Sequence, residues 1–489
     1  MIQRQPDEAA TDCYDLVIVG GGVYGIALLL EASRRGLKPL LLEQADFGSE
    51  TSWNSLRIVH GGLRYLQSLD LPRFFESVRE RRWFLRHFPD LVRPLSCLMP
   101  LYGKGLKRPS IFRLALATNS LLSMKRNRGV SRAGHLPAGG VLSVAETLER
   151  FPMAAKDNLE GAALWYDAAM PDSQRLLIEM LHWACACGAT ALNYVQAVGY
   201  ERSADEIATI SAIDRTTGRE LTFRAPLVVN AAGPWCREVS SAFDRDIPEL
   251  FHYSLAFNVV LDREPLADSG LAVSPRSRPG RTYFLVPWKG RIMAGTFHAP
   301  WKGLREDAGI TDEMLATFLG DLNDSIPGLD VAPPDVEGVH WGLLPAAKPD
   351  SDELASRPVI LHHGDRGGPE GLFSVSGVKF TTARLVAEQT LKAVQRFRDL
   401  GLPELASTPR PEATQWPTLE DLSEARAELD GRLRGRVEEL AKLESVIRVD
   451  DVLLRRTDWV TGPESQTTAR SKLSALLQEP DLRPVQSSS

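Results

Sequence analysis

The sequence predicts an α/β protein with a discontinuous parallel-sheet domain, an antiparallel-sheet domain and a small helical C-terminal appendage. Three observations support this prediction: a strand–glycine loop–helix–strand unit over residues 14–43, short β-rich runs between residues 258 and 295, and charged helical sequence beyond residue 400. Parallel and antiparallel sheets leave these different signatures, because a parallel connection needs a crossover helix. With 489 residues, the chain is long enough for two or three domains.

The first unit begins with a short, apolar, β-branched run, Tyr14–Val19, which is typical of a buried parallel strand. A glycine-rich loop, Gly20–Gly25, follows at once, and Ile26–Arg35 is then rich in Ala and Leu, as in a helix. Pro39–Glu43 gives a second strand that ends in an acid. These elements form a complete βαβ unit of the Rossmann-like type.

The glycines and the acid of this unit each have a physical role. Gly20 permits the tight turn, Gly22 lets the backbone approach a pyrophosphate, and Gly25 lets helix and strand pack closely. Glu43 lies near the spacing at which an acid binds a ribose 2′-hydroxyl. The unit therefore predicts a dinucleotide site, but it does not distinguish FAD from NAD.

Four later segments carry further motifs. They are Gly48–Leu66, Tyr166–Leu176, Leu227–Trp235 and Gly377–Arg384. In this order and form they resemble the FAD-dependent glycerol-3-phosphate dehydrogenases, within the D-amino-acid-oxidase-like flavoprotein superfamily. The resemblance covers roughly residues 14–400 and implies FAD as the cofactor.

The resemblance also implies which residues beyond the first unit lie at the cofactor. They are Thr51, Ser52, Arg57, Gly61, Gly62, Ala232, Gly233, Gly377, Lys379, Phe380 and Thr381. Arg57 would be a forked donor to the pyrophosphate, with a surface arginine as the alternative. Lys379 would lie near the pyrimidine edge of the flavin, where it would stabilise the negative charge that a reduced flavin gains.

The positions of these segments imply a discontinuous FAD-binding domain over residues 1–95, 150–240 and 335–400. Residues 96–149 and 241–334 would form the substrate domain, with an antiparallel sheet. Residues 401–489 begin with a Pro-rich stretch and would form a linker and the helical C-terminal region.

Substrate recognition is where the chain departs from the family pattern. Leu344 and Phe257 align with positions at which the family has a substrate-binding arginine and a histidine, so we expect a less cationic, more apolar pocket. Arg64 and Tyr65 match the family's substrate-side pair, and we also expect Arg384 at the substrate. The residues that could replace the lost cations are His252, His298, Lys302, Arg357 and His362.

The sequence thus predicts an FAD-dependent enzyme that dehydrogenates a CH–OH group by hydride transfer to the flavin. The candidate bases are His60, Tyr65 and His298, while Lys379 would supply electrostatic stabilisation. Three alternatives remain: a true glycerol-3-phosphate dehydrogenase that reduces quinone, an FAD-dependent amine oxidase, and a non-catalytic FAD-binding module. His60 could instead be a structural residue that positions the loop.

Composition and charge limit the partners. A net charge of −6 argues against nucleic acid, which needs a basic face, and five scattered cysteines offer no metal site. No apolar run reaches the roughly 18 residues of a spanning helix, and no secretory signal precedes the first strand, so we expect a cytoplasmic protein.

Besides its substrate, the protein would need an electron acceptor, quinone or oxygen. Residues 105–128 mix apolar and basic residues, as in a helix that contacts the inner face of a membrane, although a core-packed helix is the alternative.

Overall fold

The computed structural model describes residues 1–103, 108–277, 281–398, 409–413, 416, 431–458, 467, 470, 471, 473 and 474. Its strands, in chain order, are β1 (Leu16–Val19), β2 (Pro39–Leu42), β3 (Ile58–Val59), β4 (Arg93–Leu101), β5 (Gly140–Leu142), β6 (Gly161–Ala169), β7 (Thr190–Leu192), β8 (Val195–Arg202), β9 (Ala208–Asp214), β10 (Glu220–Ala225), β11 (Val228–Asn230), β12 (Tyr253–Leu261), β13 (Gly270–Val273), β14 (Tyr283–Trp288), β15 (Arg291–Pro300), β16 (Val336–Pro345), β17 (Val359–His362) and β18 (Leu372–Ser376). The main helices are α1 (Pro6–Thr11), α2 (Val23–Ser33), α3 (Leu63–Gln67), α4 (Leu71–His87), α5 (Pro109–Leu122), α6 (Val144–Arg150), α7 (Ser173–Ala186), α8 (Cys236–Phe243), α9 (Asp312–Ser325), α10 (Ala383–Phe397) and α11 (Gly431–Leu443).

A six-stranded sheet in the order β17-β18-β11-β1-β2-β7 forms the first domain. All neighbours in it are parallel except the β17–β18 edge pair. Successive side chains of a strand point to opposite faces. Accordingly, Leu16 and Ile18 pack with the helices α2, α7 and α10, whereas Val17 and Val19 pack with a small antiparallel sheet of β8, β9 and β10. The predicted Rossmann-like fold is confirmed.

The glycine loop between β1 and α2 has the predicted geometry. Gly20 adopts φ +109°, a conformation that side chains rarely allow. A Cβ on Gly25 would overlap the carbonyl oxygen of Gly20, so α2 can approach β1 only because this residue is glycine. The packing role predicted for Gly25 therefore agrees with the structure.

A second, nine-stranded sheet forms the other domain, in the order β16-β12-β15-β14-β13-β4-β6-β3, with β5 paired to β6. It is antiparallel except for the β13–β4 pair. Its core packs against α9 through the aromatic residues Phe257, Phe297, Phe318 and Tyr283. Strands β3, β6 and β16 belong to this sheet, although the domain bounds from sequence had placed them in the FAD-binding domain. A motif that predicts a residue near the cofactor does not reveal which of the two adjoining sheets carries that residue.

The C-terminal region returns to the first domain. In its described part, α11 is followed by a short helical segment, Val449–Arg456, that packs on α7. Within the region 401–489, predicted as a linker and helices, the structure has helix over residues 431–443 and 449–456, whereas most of the predicted Pro-rich linker lies outside the described residues. None of the helices in the described ranges is long and apolar enough to cross a membrane.

Candidate active site

A cavity of about 620 Å³ lies where the carboxyl ends of β1, β2, β11 and β18 meet the nine-stranded sheet. Ligands of open α/β sheets bind at this end of the strands. The sheet ends contribute Val19, Leu42, Ala231 and Gly377, and the second domain contributes the opposite wall. The cavity therefore joins a nucleotide-binding edge to a candidate substrate wall.

The nucleotide end of this cavity has the groups that FAD requires. Gly20, Gly22 and Glu43 all line it. The Glu43 carboxylate accepts hydrogen bonds from the backbone N–H of Gly21 (2.6 Å) and Ala45 (2.8 Å), which fix it at the end of β2. Burial raises the pKa of Glu43 to about 7. A fixed acid beside a glycine turn and a helix N-terminus fits the ribose and pyrophosphate of a dinucleotide.

The loop of residues 48–57 covers the cavity from the other side. Thr51 and Ser52 line the cavity, and Ser52 Oγ accepts a hydrogen bond from Val23 N–H (2.9 Å) at the start of α2. Asn54 Nδ2 donates to the Trp341 carbonyl (2.7 Å) and so ties the loop to β16. The loop thus bridges both domains over the cavity.

Arg57 is buried, 2% exposed, so the alternative of a surface arginine is wrong. Its Nη1 donates to the Pro171 carbonyl, Ser173 Oγ and Gln174 Oε1, while Nε and Nη2 lack a hydrogen-bond partner among the described residues. Burial lowers the pKa of Arg57 to about 10. Arg57 is among the residues that line the cavity, while its guanidinium packs 4.7 Å from the centroid of the Trp288 ring, and its pairing with a pyrophosphate stays a prediction.

Gly61 and Gly62 do not line the cavity, contrary to the expectation that they contact the cofactor. A Cβ on Gly61 would overlap the Arg81 guanidinium, and Arg81 Nη1 donates to Asp167 Oδ1 (2.7 Å) behind the loop. Gly61 N–H donates to the same carboxylate oxygen. Gly61 therefore makes room for a buried ion pair, whereas Gly62 adopts φ +78° at the start of α3. Sequence reasoning missed Arg81, because nothing in the charged helix α4 distinguishes it from solvated arginines.

At the end of β18, residues 377–381 form the candidate flavin edge, and Gly377, Lys379, Phe380 and Thr381 line the cavity as expected. Tyr24 fixes this segment: its hydroxyl accepts a hydrogen bond from Lys379 N–H and donates one to the Lys379 carbonyl, both at 2.9 Å. Tyr24 occupies a variable position of the glycine motif, so the motif gave no signal for this role. Ala232 and Gly233 also line the cavity.

Lys379 and Tyr65 meet at this edge. Lys379 Nζ donates a hydrogen bond to the Tyr65 hydroxyl and lies 4.3 Å from the centroid of the tyrosine ring, while Arg73 Cζ lies 4.8 Å from the same centroid. Burial, together with Arg73, lowers the pKa of Lys379 to about 8. Arg64, at the start of α3, is exposed, and neither Arg64 nor Tyr65 lines either of the two cavities, so the Tyr65 hydroxyl is linked to the first cavity through Lys379.

Two histidines line the cavity. The His60 ring is 6.2 Å from the Tyr65 ring, and burial and Lys379 lower the pKa of His60 to about 4. His298, on β15, has its pKa lowered to about 4, chiefly by burial, and its Nδ1 has no hydrogen-bond partner among the described residues. Both imidazoles are therefore neutral at pH 7, although the same burial makes each a weaker base than a free histidine.

The candidate substrate wall comes from β12, β15 and β16. Leu344 lines the cavity as expected, together with Asn258 and Thr296, whose side chains are hydrogen-bonded to each other at 2.8 Å. Phe257 does not line it: this residue is fully buried and lies 4.9 Å from the Phe297 ring. Because neighbouring residues of a strand face opposite sides, Asn258 and not Phe257 faces the cavity.

Arg384, which was expected at the substrate, lines neither of the two cavities, and its role at the substrate is not supported by its position. Its guanidinium is buried in α10 and donates to both carboxylate oxygens of Glu80 (2.6 and 2.8 Å) and to Glu388 (2.6 Å). The residue joins α10 to α4 and holds the element that follows the flavin edge.

A second cavity of about 280 Å³ lies behind Lys379 and shares that residue with the first. Arg73, Glu76 and Arg357 line it. Of the five residues considered as replacements for the lost cations, His298 lines the first cavity and Arg357 the second, whereas His252, Lys302 and His362 line neither. The cations of the site thus lie on the Lys379 side and not beside Leu344.

A Rossmann-like sheet whose glycine loop, acid and covering loop enclose a cavity shared with an antiparallel sheet defines a two-domain flavoprotein. The FAD dependent oxidoreductase family model matches residues 15–392, and the chain belongs to that family. It is an FAD-dependent oxidoreductase of the glycerol-3-phosphate dehydrogenase and D-amino-acid-oxidase type.

Individual relatives agree with this assignment. The chain is 29% identical over 403 residues to a glycerol-3-phosphate dehydrogenase of Synechocystis sp., covering 80% of this chain and 71% of the relative. It is 29% identical over 398 residues to an aerobic glycerol-3-phosphate dehydrogenase of Staphylococcus aureus, covering 80% and 69%. The fold is similar to that of the Bacillus halodurans glycerol-3-phosphate dehydrogenase complexed with FAD, with a TM-score of 0.66, 22% identity, and 97% and 96% of the two chains covered.

Proposed function

We propose that the protein oxidises the CH–OH group of a small hydroxylated substrate, with FAD as the hydride acceptor. The observation that carries the proposal is the Lys379–Tyr65 contact at the flavin edge of a cavity that neutral His60 and His298 also line. The cation, held by the phenol, and a neutral imidazole supply two things that alcohol oxidation needs: charge stabilisation and a proton acceptor.

Bound FAD supplies the redox chemistry. Lys379, positioned by Tyr24, stabilises negative charge at the edge of the cavity. Tyr65, whose hydroxyl accepts a hydrogen bond from Lys379, holds that ammonium in place from outside the cavity. One of the two neutral histidines, His60 or His298, accepts the hydroxyl proton, since both line the cavity.

The charge distribution supports a narrower proposal for the substrate. Leu344, Asn258 and Thr296 offer an uncharged wall, whereas the second cavity is lined by Lys379, Arg73 and Arg357 together with the acid Glu76. We therefore propose a hydroxylated substrate whose neutral part lies against Leu344 and whose anionic group, where it has one, points toward Lys379. Glycerol-3-phosphate itself would bind less well than in an enzyme with an arginine at position 344.

The test is anaerobic reduction of the flavin by a panel of glycerol-3-phosphate, hydroxy acids, neutral polyols and primary or secondary amines. Reduction by hydroxylated compounds supports the proposal. Reduction by amines alone would establish the amine-oxidase alternative, and a flavin that no member reduces would favour a non-catalytic module.

We infer that the electron acceptor is a quinone that the protein meets at a membrane surface. Helix α5 supports this inference, because Leu114, Leu121 and Met124 in and just after it are 71%, 63% and 72% exposed. Arg113 and Lys125 accompany them, and basic residues beside exposed apolar ones favour an anionic lipid surface. The other face of α5 is core-packed, with Phe112 and Leu116 each 2% exposed, so the core-packed alternative holds for that face and the membrane inference rests on the exposed one. Oxygen remains the alternative acceptor.

A further inference from the structure

The loop that follows Glu43 is held by the C-terminal region through one buried carboxylate. Asp46 is 1% exposed and accepts hydrogen bonds from Arg455 and from both terminal nitrogens of Arg456, of which Nη2 is at 2.8 Å. Asn193 Nδ2 donates to it as well, at 2.9 Å. Asp46 thus joins β2, the segment after β7 and residues more than 400 positions further along the chain.

A second buried carboxylate extends the contact. Glu444, fully buried, accepts hydrogen bonds from Arg175 (2.7 and 2.9 Å) and from His182 (2.8 Å), both on α7. Arg456 Nη2 also donates to the Glu444 carbonyl (3.0 Å). Removing so many charges from water has a large desolvation penalty, and a buried ion pair is therefore weak evidence for stability alone. What such a network provides is one fixed geometry.

The residues next to Asp46 connect this buried network to the cofactor cavity. Gln44, Ala45 and Gly48, on either side of Asp46, line the cavity. The Ala45 N–H holds the Glu43 carboxylate, and Gly48 N–H donates to the Gly21 carbonyl (2.9 Å). A displaced Asp46 would therefore move both the acid and the glycine turn that face the dinucleotide.

We propose that the C-terminal segment 444–456 is a positioning element for FAD, which acts through Asp46 on the loop of residues 43–48. Arg455 and Arg456 are the positioning residues, and neither lines the cavity. The segment fixes the cofactor wall and takes no part in the oxidation itself. This assignment holds whatever the substrate is.

The test compares Asp46→Asn with Asp321→Asn in the full-length protein. Asp321 is 7% exposed, accepts a hydrogen bond from the Tyr283 hydroxyl (2.8 Å) and belongs to the other domain. Asp321→Asn therefore removes a buried carboxylate, as Asp46→Asn does, but away from the FAD loop. The FAD dissociation constant, measured by the quenching of flavin fluorescence on binding, is expected to rise at least about tenfold in Asp46→Asn and to stay unchanged in Asp321→Asn. The melting temperature is expected to fall in both.

Equal FAD affinities in the two variants would overturn the proposal, because the network would then have only a stabilising role. If Asp46→Asn does not fold, Arg455→Lys replaces it: this variant keeps the charge but loses the forked contact with Asp46 and Asp451. It is expected to weaken FAD binding about threefold or more, with the rate of flavin reduction at saturating FAD unchanged. Unchanged FAD affinity in this variant would equally refute the proposal.

Discussion

Lys379 and Tyr65 are 314 residues apart in the chain, yet the lysine ammonium donates a hydrogen bond to the tyrosine hydroxyl at the edge of the FAD cavity. The contact joins the loop after β18 to the start of α3. It places Lys379, a cation that lines both cavities, beside a phenol whose ring centroid lies 6.2 Å from that of the half-buried His60.

Replacement of Lys379 by Met is expected to lower the rate of flavin reduction about 100-fold, the usual effect of removing one preorganised charge or donor from an active site. Lys379→Arg keeps the charge and should recover part of the rate. Stopped-flow reduction under anaerobic conditions measures both. A Lys379→Met protein that binds FAD and reduces at the wild-type rate would exclude the electrostatic role.

The pH dependence of flavin reduction follows from two depressed pKa values. The neutral form of His60 and His298 predominates above about pH 4, and the Lys379 ammonium is present below about pH 8 and lost above it. We therefore expect a rate that rises through about pH 4 and falls through about pH 8. In Lys379→Arg the alkaline limb should disappear, since arginine keeps its charge. A limb near pH 8 that persists in this variant would assign it to another group.

Leu344→Arg should restore a cation to the substrate wall. A charge-assisted hydrogen bond contributes about 1.5–3 kcal/mol, so the KM for glycerol-3-phosphate is expected to fall about 10- to 100-fold. Leu304→Arg, at a residue that is 63% exposed and outside both cavities, is the matched control and should leave KM unchanged. The same KM in both variants would show that position 344 does not face the substrate.

Gly25→Ala should abolish FAD binding, because the new methyl group overlaps the Gly20 carbonyl oxygen and pushes α2 away from β1. Gly320→Ala is the control: a Cβ there, on the exposed side of α9, meets nothing within 4 Å. That substitution should stabilise the protein by about 0.5–1 kcal/mol. Flavin absorbance after purification measures FAD binding by Gly25→Ala, and a thermal melt measures the stability of Gly320→Ala. A yellow Gly25→Ala protein would contradict the assignment of the loop.

Exchange of Leu114 and Met124 for Glu should abolish co-sedimentation with vesicles that contain anionic phospholipid. Leu304→Glu alters an equally exposed leucine away from α5 and should leave co-sedimentation unchanged. Wild-type protein that stays in the supernatant at low salt would contradict the membrane inference.

Local sequence was sufficient for the parts of the site that depend on backbone geometry. The turn at Gly20 requires a positive φ angle, and the packing at Gly25 requires a close approach of α2 to β1, so both positions need glycine. The acid at position 43 follows from the spacing of the same motif. Motifs also led to FAD, and the family comparison bears this out.

The roles of side chains whose partners lie far along the sequence were harder to predict from the sequence. Phe257 was assigned by alignment, yet a one-residue difference along a strand decides which side chain faces the cavity, and Asn258 occupies that place. Arg384, Arg81 and Asp46 are bound in buried ion pairs, whose partners come from other elements. A charged residue in a helix looks the same in sequence whether solvent or a buried carboxylate surrounds it.

The most direct test of the central claim is anaerobic mixing of the FAD-loaded protein with glycerol-3-phosphate and, separately, with less charged alcohols, while the visible absorbance of the flavin is followed. We predict that an alcohol bleaches the flavin, and that glycerol-3-phosphate does so only at high concentration in the wild type. Bleaching by glycerol-3-phosphate at low concentration would contradict the altered substrate wall. A flavin that every alcohol leaves oxidised would contradict the proposed oxidation of CH–OH groups.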